Sequence, residues 1–253
     1  MSLQRCLVRP AALSLLMMSL SGAGCALFYG QKYETFITPT PLAVDEYLVL
    51  GFLGGLEPWN SEDQGVRRLA LQLRAKNLPG VHVETVENGK RALALELIRR
   101  ASDRNRDGVL DAPERRSVRL ILYGMSFGGA AVVKLARQLK DLDVPVLLTV
   151  QVDSVGRDDA VIPSNVAAAA NLYQTDGVLI RGERTIRAEE PSKTAILGNF
   201  QFTYEGKKVD LSAIPWYKII FRRAHAKMNA DPDVWAKVGE VITDAISRRA
   251  SSN

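Results

Sequence analysis

A short stretch in the middle of the chain, SVRLILYGMSFGGAAVVKLARQL from Ser117 to Leu139, limits the folds open to this sequence. Val118 to Tyr123 is an apolar run rich in branched residues, which predicts a fully buried strand. The sequence Gly-x-Ser-x-Gly around Ser126 comes next, followed by small and apolar residues with a basic polar face, which predict a helix. A strand, a sharp turn that carries a serine, and a helix are together typical of the nucleophile elbow.

The glycines beside Ser126 suit such a turn, because its backbone is strained and its neighbours leave no room for side chains. Gly124 and Gly128 flank the serine, and Gly129 allows the helix to pack close to the strand. The alternative is an ordinary strand–turn–helix crossover in which the serine only caps the helix. A plain crossover does not need three glycines, so the elbow is the preferred interpretation.

On these residues the chain resembles the α/β-hydrolase superfamily, and more narrowly its small bacterial lipase-like and thioesterase-like members. The resemblance extends over residues 47–246, with the elbow as its specific motif. It implies an α/β-hydrolase fold and a triad in the order serine, acid, histidine. It also implies an oxyanion hole built from the amide of Phe127 and an amide that follows an earlier strand. Glu46–Phe52 is that strand, with Phe52 as the expected donor and Leu53 as the next choice.

Strands and helices alternate along the chain, which by itself indicates a mostly parallel sheet with helices on both faces. The 253 residues, 47% of them hydrophobic, suffice for one globular domain with its own core. Apolar spacing predicts helices over Ser61–Asn77 and Lys90–Ala101 and a terminal helix that opens at Asp231. Further strands are predicted at Val81–Val86, Val144–Asp153, Val178–Arg181 and Thr194–Leu197, whereas Ile162–Gln174 is predicted to be loop and short helix.

The base that activates the serine is expected among two histidines, His82 and His225, since these are the only ones in the chain. His82 lies in a predicted strand before Ser126, which is the wrong order for the superfamily. His225 lies just before the terminal helix, where the resemblance places the triad histidine. We therefore expect His225 to be the base.

The acid should lie between Ser126 and His225, near the carboxyl end of a strand. Asp153 ends the strand after the elbow helix, a position used by pancreatic-lipase-like members of the superfamily. Asp176 is the alternative one strand later, although it precedes its predicted strand instead of ending it. Asp158 and Asp159 are predicted to be surface residues of a loop.

The expected activity is hydrolysis of a carboxylic ester or thioester through an acyl-enzyme, with no cofactor for the chemistry. An acyltransferase would use the same residues. A binding module that kept the fold without the chemistry is the alternative from another class, because Leu50 stands where the family's oxyanion loop usually has a histidine. An apolar acyl site is expected from a group of aromatic residues: Phe200, Phe202, Trp216, Tyr217 and Phe221.

A separate motif, Asp103 to Glu114, matches the twelve-residue calcium loop D-x-[DN]-x-[DN]-G-x5-E. Its expected ligands are Asp103, Asn105, Asp107, the carbonyl of Val109, Asp111 through a water molecule, and a bidentate Glu114. The chain then enters the strand before Ser126 almost at once, so no second helix follows the loop. The sequence therefore predicts a single loop that binds structural calcium.

Residues 1–26 resemble a bacterial secretory signal, because Arg5 and Arg9 are their only charges and Ala11–Leu20 is a short apolar core. This core is too short to span a bilayer, which takes about 20 apolar residues. Cys25 follows two small residues as in a lipoprotein signal, where the thiol is lipidated. Ordinary cleavage after Ala26 is the competing interpretation.

Export would leave a domain with no internal disulfide, because Cys6 and Cys25 are the only cysteines. Loss of Arg5 and Arg9 lowers the net charge from +5 to +3, which gives no indication of a nucleic-acid partner. The expected location is the periplasm of a bacterium or its membrane surface, with Cys25 as the anchor. The expected partner is a small acyl ester or thioester substrate.

Overall fold

The computed structural model describes residues 30–177, 180–212, 214–216, 219 and 223–250, without the side chains of residues 249 and 250. Residues 31–253 form one compact unit. The predicted signal at residues 1–26 with Cys25, and the aromatic residues Tyr217 and Phe221, lie outside the described residues. None of the described helices is both long enough and apolar enough to cross a membrane.

Strands and helices alternate through the first two thirds of the domain, as the sequence predicts. The strands are β1 (Tyr47–Leu53), β2 (Val81–Glu87), β3 (Arg119–Met125), β4 (Val146–Val152), β5 (Val161–Ile162), β6 (Val166–Gln174), β7 (Arg187–Ala188) and β8 (Ala195–Phe202). The helices are α1 (Gly65–Ala75), α2 (Arg91–Ser102), α3 (Phe127–Asp141), α4 (Arg223–Ala230) and α5 (Pro232–Ala250).

The main sheet has the order β2-β1-β3-β4-β6-β8 in the described part of the chain, and its pairings are parallel. The two short strands β5 and β7 pair separately. This is the mostly parallel α/β-hydrolase fold that the sequence predicts.

Helices cover both faces of the sheet, because successive side chains of each strand point to opposite faces. Leu48, Leu50 and Phe52 of β1 belong to the core under α2 and α3. Tyr47 and Val49 belong to the core under α1 and α5. The buried strands are therefore apolar on both faces, as expected for a parallel sheet.

The order of the strands creates a crevice at the carboxyl ends of β1 and β3. From β1 the chain passes through α1 on one face to β2, and from β3 it passes through α3 on the opposite face to β4. The loops that follow these adjacent strands thus leave the sheet in opposite directions, which is where ligands bind in open parallel sheets. Ser126 directly follows β3 and lies at this crevice.

The predicted helix starts and ends agree with the structure to within a few residues. Asp231 caps α5, since its Oδ1 accepts a hydrogen bond from the amide of Asp233 at 3.1 Å. Pro232 opens the helix, where its missing N–H costs no hydrogen bond.

The segment Ile162–Gln174 departs from the prediction of loop and short helix, because Val166–Gln174 is the nine-residue strand β6. Its alanines favour a helix when they are considered in isolation. In the fold, however, β6 lies between β4 and β8 and pairs with both. Small side chains fit this position, where tertiary pairing overrides the local propensity. Strand β8 likewise extends to Phe202 and is longer than the predicted Thr194–Leu197.

Candidate active site

Ser126 occupies the sharp turn between β3 and α3 with φ 57° and ψ −125°, a backbone conformation that residues other than glycine rarely adopt. Backbone hydrogen bonds hold it there. Its amide donates to the carbonyl of Val152 at 3.0 Å, and its own carbonyl accepts from the amides of Gly129 at 3.0 Å and Val155 at 3.1 Å. The strained serine is therefore fixed by the neighbouring strand end and by the first turn of α3.

Gly128 shows why a small residue is required beside the serine. A Cβ atom added there would lie 2.0 Å from the carbonyl oxygen of Phe52, far inside van der Waals contact. The first turn of α3 therefore packs directly against the backbone at the end of β1. This close approach supports the elbow over a plain crossover.

His225 and Asp153 lie 72 residues apart in the sequence and are joined in the fold by a contact of 2.7 Å between Nδ1 and Oδ2. His225 lies on α4 with 7% of its surface exposed, and Asp153 follows β4 with none exposed. Because Nδ1 is bonded to the carboxylate, Nε2 is the ring nitrogen of His225 that is left for proton transfer. His82 instead contacts Glu46 at 3.3 Å at the start of β2.

Two further donors hold the Asp153 carboxylate, and the sequence analysis missed both. The side-chain amide of Gln174 donates from Nε2 to Oδ2 at 3.0 Å, and the backbone amide of Gly182 donates to Oδ1 at 2.8 Å. Together with His225 they give this buried carboxylate three hydrogen-bond partners. A buried charge needs such compensation. Gln174 ends β6, and polarity at the end of a buried strand was the available signal for its role.

The other acids considered from the sequence lie elsewhere. Asp176 accepts a hydrogen bond from the amide of Tyr204 and is not joined to His225. Asp159 is buried, which corrects the prediction of a surface residue. Its Oδ2 accepts from the Ser154 hydroxyl at 2.5 Å, and this pairing allows the carboxylate to leave solvent.

Helix α4, which carries His225, is anchored by charged groups on its far side. Lys227 donates from Nζ to the carbonyls of Tyr204 at 3.0 Å and Lys207 at 2.7 Å. The buried Asp231 carboxylate pairs with Nζ of Lys207 at 2.7 Å. Burial, together with the negative charge of Asp231, raises the pKa of Tyr204 well above its usual value. These contacts fix the helix and so help to fix the imidazole.

Ser126 and His225 line the same cavity, which we call the Ser126 cavity. The other described residues that line it are Gly54, Gly55, Glu57, Gln64, Met125, Ile214, Ala226 and Asn229. The serine and the histidine of the predicted triad therefore lie at one cavity, and Asp153 contacts the histidine.

The two residues predicted to supply the oxyanion hole, Phe52 and Phe127, lie in different settings. Phe52 is fully buried inside β1, paired with β2 on one side and β3 on the other, and it does not line the Ser126 cavity. Gly54, which follows the end of β1, does line it. Phe127 begins α3, and its backbone amide is in the first turn, where N–H groups have no partner within the helix.

The predicted aromatic acyl site also differs in the structure. Phe200 and Phe202 pack against the core under α1 and α5, and they are not cavity-lining residues. Trp216 is 73% exposed. Among the described residues, those that give the Ser126 cavity an apolar wall are Met125, Ile214 and Ala226.

The predicted calcium loop is closed by its own hydrogen bonds. The Glu114 carboxylate accepts from the backbone amides of Arg104 at 2.9 Å, Asn105 at 3.1 Å and Asp111 at 3.1 Å. Asp103 Oδ2 accepts from the amide of Gly108 at 3.0 Å. The hydrogen bonds from Asn105 and Asp111 lower the pKa of Glu114.

The side chains of the predicted calcium loop are bonded within the loop itself. Across the part of the chain that the structure describes, no three histidine, cysteine or acidic side chains are grouped so that they hold a metal ion. In the ligand set predicted from the sequence (Asp103, Asn105, Asp107, Val109, Asp111 and Glu114), each of the five polar side chains accepts a hydrogen bond from a backbone amide of the loop. Calcium binding at this loop stays a prediction.

No family model matches the chain, and no curated protein matches it. Among solved structures, a cutinase-like protein from Cryptococcus sp. is 18% identical with a TM-score of 0.44, over 82% of this chain and 98% of its own. A dienelactone hydrolase-like promiscuous phosphotriesterase from metagenomic libraries is 17% identical with a TM-score of 0.37, over 81% and 87%. The NocB thioesterase domain, in covalent complex with a fluorophosphonate nocardicin G analogue, is 13% identical with a TM-score of 0.34, over 78% and 95%.

Proposed function

We propose that this protein is a serine hydrolase of the lipase-like or thioesterase-like kind, which cleaves a carboxylic ester or thioester through an acyl-enzyme. The observation that supports this most is the contact of 2.7 Å between Asp153 and His225 at a cavity that Ser126 also lines. A buried carboxylate bonded to an imidazole, beside a cavity that a serine also lines, is the kind of arrangement that activates a serine for acyl transfer, and this supports the proposal.

In the proposed reaction, Ser126 Oγ attacks the carbonyl carbon of the substrate while Nε2 of His225 takes the hydroxyl proton. Asp153 keeps the proton on Nδ1 and stabilises the imidazolium that forms. The imidazolium then gives its proton to the leaving alcohol or thiol, and the C–O or C–S bond breaks. Water then attacks the acyl-enzyme through the same two proton transfers, and the carboxylic acid is released.

The negative charge that develops on the carbonyl oxygen needs two donors at the cavity. We assign the backbone amides of Phe127 and Gly54 to this task, with Gly54 in place of Phe52. Loss of one such donor typically raises the barrier by about 2.7–4 kcal/mol.

Labelling with a fluorophosphonate probe tests the proposal, because the probe reacts only with an activated serine. We expect the folded wild-type protein to be labelled and Ser126→Ala to be unlabelled. Ser192→Ala, which removes an exposed serine, is the matched control and should label like the wild type. A folded wild-type protein that resists the probe would argue for a non-catalytic binding module.

The location of the protein is a second proposal and rests on the sequence of residues 1–26. We propose that the chain is exported in a bacterium, with Cys25 as a lipid anchor. Mass spectrometry of the mature protein gives the decisive measurement. A diacylated N-terminal Cys25 is the expected result, an unmodified N-terminus at Leu27 would leave export without the anchor, and a retained Met1 would contradict both.

A further inference from the structure

The helix that carries His225 is short. Helix α4 spans eight residues, Arg223–Ala230, and isolated helices of fewer than about 12 residues are marginal in water. The position of this helix, and of its imidazole, therefore depends on contacts with the rest of the fold. Lys227 holds one side of the helix through two backbone carbonyls. A second set of contacts lies at the Ser126 cavity and is centred on Asn229.

Asn229 lies one helical turn after His225, and both residues line the Ser126 cavity. Its side chain bonds to the start of α1. Oδ1 accepts from the amide of Gly65 at 2.9 Å, and Nδ2 donates to the carbonyl of Asp63 at 3.2 Å. Gln64, the residue before α1, makes no capping hydrogen bond with its side chain. Asn229 thus gives the first turn of α1 an acceptor that Gln64 does not supply.

The backbone carbonyl of Asn229 is bonded in the same region. It belongs to the last turn of α4, where carbonyl groups have no partner within the helix. It accepts from Nη2 of Arg68 at 2.8 Å and from Nε1 of Trp235 at 2.7 Å. Nη1 of Arg68 donates to the carbonyl of Asp63 at 2.8 Å, so the guanidinium joins Asp63 to Asn229 a second time. The end of α4 and the start of α1 are therefore held together by side chains from both helices.

The contact between these helix ends is tightly packed. A Cβ atom added to Gly65 would lie 1.9 Å from Nε1 of Trp235, so the backbone of α1 touches the indole directly. Asn229 and Trp235 are 6% and 4% exposed, and water has little access to their hydrogen bonds. An amide with a donor at its oxygen and an acceptor at its nitrogen has one preferred orientation. We call this set of residues the α1–α4 junction: Asp63, Gly65, Arg68, Asn229 and Trp235.

The junction lies at the end of the loop that follows β1. This loop begins with Gly54, the proposed oxyanion donor, and leads to α1 at Gly65. A Cβ atom added to Gly54 would lie 3.1 Å from Cβ of Ser126, so the first residues of the loop lie against the serine. The junction therefore connects the helix of the proposed base to the loop that lies against the proposed nucleophile.

From these contacts we infer that Asn229 is a positioning residue, which holds His225 in place relative to Ser126 and the oxyanion donors. The inference rests on the proposed function, since it concerns the base of that same triad. Transfer of the serine proton depends on the placement of the base, and a misplacement of about 1 Å can lower a rate about a hundredfold. Loss of the junction should therefore reduce turnover more than substrate binding.

Asn229→Leu and Arg68→Met test the inference from the two helices. Each substitution roughly keeps the size of the side chain and removes its hydrogen bonds. Each should lower kcat per fluorophosphonate-labelled site roughly ten- to a hundredfold and change KM less than about threefold. Because both act through one junction, the double variant should lose clearly less than the product of the two single losses. Arg68 is not among the described residues that line the cavity, so its effect cannot come from a lost substrate contact.

Asn60→Leu is the matched control, since it removes an exposed asparagine of the same loop outside the junction. It should leave kcat and KM within about twofold of the wild type. Because only folded protein is labelled, kcat per labelled site separates the positioning effect from a loss of stability.

A wild-type kcat per labelled site in both Asn229→Leu and Arg68→Met would overturn the inference and leave the proposed hydrolase standing. A raised KM with unchanged kcat in Asn229→Leu would overturn it as well, because that result indicates a direct substrate contact. A folded wild-type protein that is not labelled would overturn the proposed function and this inference with it.

Discussion

The side-chain amide of Gln174 donates a hydrogen bond of 3.0 Å to Oδ2 of Asp153, the same oxygen that contacts His225. Gln174 is completely buried and also holds the loop that follows it. Its Nε2 donates to the carbonyl of Ile180 at 3.1 Å, and its Oε1 accepts from the amide of Gly177 at 2.7 Å. One amide thus links the end of β6, the next loop and the carboxylate that orients the imidazole.

We therefore predict that Gln174 is a positioning residue for the triad. Gln174→Met keeps the length of the side chain and removes its hydrogen bonds, so kcat per labelled active site should fall about tenfold with little change in KM. The buried groups left without partners should also lower the free energy of unfolding by about 1–3 kcal/mol.

Active-site titration with the fluorophosphonate separates this effect from a loss of folded protein. The matched control is Gln201→Met, which removes an exposed amide that contacts Thr175. It should leave both kcat and stability near the wild-type values. A normal kcat per labelled site in Gln174→Met would contradict the positioning role.

The second prediction concerns the triad as a unit. Ser126→Ala and His225→Ala should each reduce kcat by about four to six orders of magnitude, and the double variant should be no worse than either. This non-additivity follows because the base acts only through the serine. A double variant that is clearly worse than both single variants would indicate independent roles.

The third prediction separates the two candidate acids. Asp153→Asn should lower kcat on the order of 10⁴-fold, because an amide favours the wrong imidazole tautomer. Asp176→Asn should change kcat little, since Asp176 bonds to the Tyr204 amide instead of His225. The opposite ranking of the two variants would show that the acid has been assigned to the wrong residue.

The fourth prediction addresses the proposed oxyanion donor at Gly54. A Cβ atom there would lie 3.0 Å from the carbonyl oxygen of Met125 and 3.1 Å from Cβ of Ser126. Gly54→Ala should therefore displace this backbone and lower kcat/KM on the order of tenfold, or about 1.4 kcal/mol in the barrier. Gly89→Ala is the control, since nothing lies within 4 Å of its added Cβ. Equal kinetics for the two variants would remove Gly54 from the oxyanion hole.

The fifth prediction concerns the loop that Glu114 closes. The backbone amides that bond to its carboxylate lower the pKa of Glu114 in the folded protein. A carboxylate whose pKa is lower in the folded protein stabilises the fold at pH values above its pKa in the unfolded chain, about 4.3. This stabilisation disappears as the pH falls through its pKa in the folded protein. Glu114→Gln should thus melt below the wild type at pH 7, and the difference should shrink below about pH 4.

The same thermal melting experiments, repeated with added calcium, also test the loop motif. Calcium binding, as the sequence predicts it, would have to draw Glu114 away from three amides. If calcium binds only the folded state, a concentration 100 times its dissociation constant adds about 2.7 kcal/mol of stability. The wild type should then melt higher in calcium than in chelator, and Glu114→Gln should not. A wild-type melting temperature indifferent to millimolar calcium would contradict the calcium site.

Several features of this protein follow from its sequence alone. The elbow around Ser126, the alternation of strands and helices, and the cap at Asp231 were all predicted correctly, because each depends on residues within one or two turns of chain. The proposal of His225 as the base needed only the order of residues along the chain and the fact that there are two histidines, and it stays a prediction.

Other features were decided only by the tertiary structure. Val166–Gln174 became a strand because β4 and β8 offered it partners on both sides. Gln174 and Gly182 reached the Asp153 carboxylate across 21 and 29 residues of chain, and the sequence does not show which distant groups will meet in this way. Glu57 came to line the Ser126 cavity because the loops after β1 and β3 leave opposite faces of the sheet. These pairings depend on where distant segments meet, and that is settled by the packing of the whole sheet and its helices.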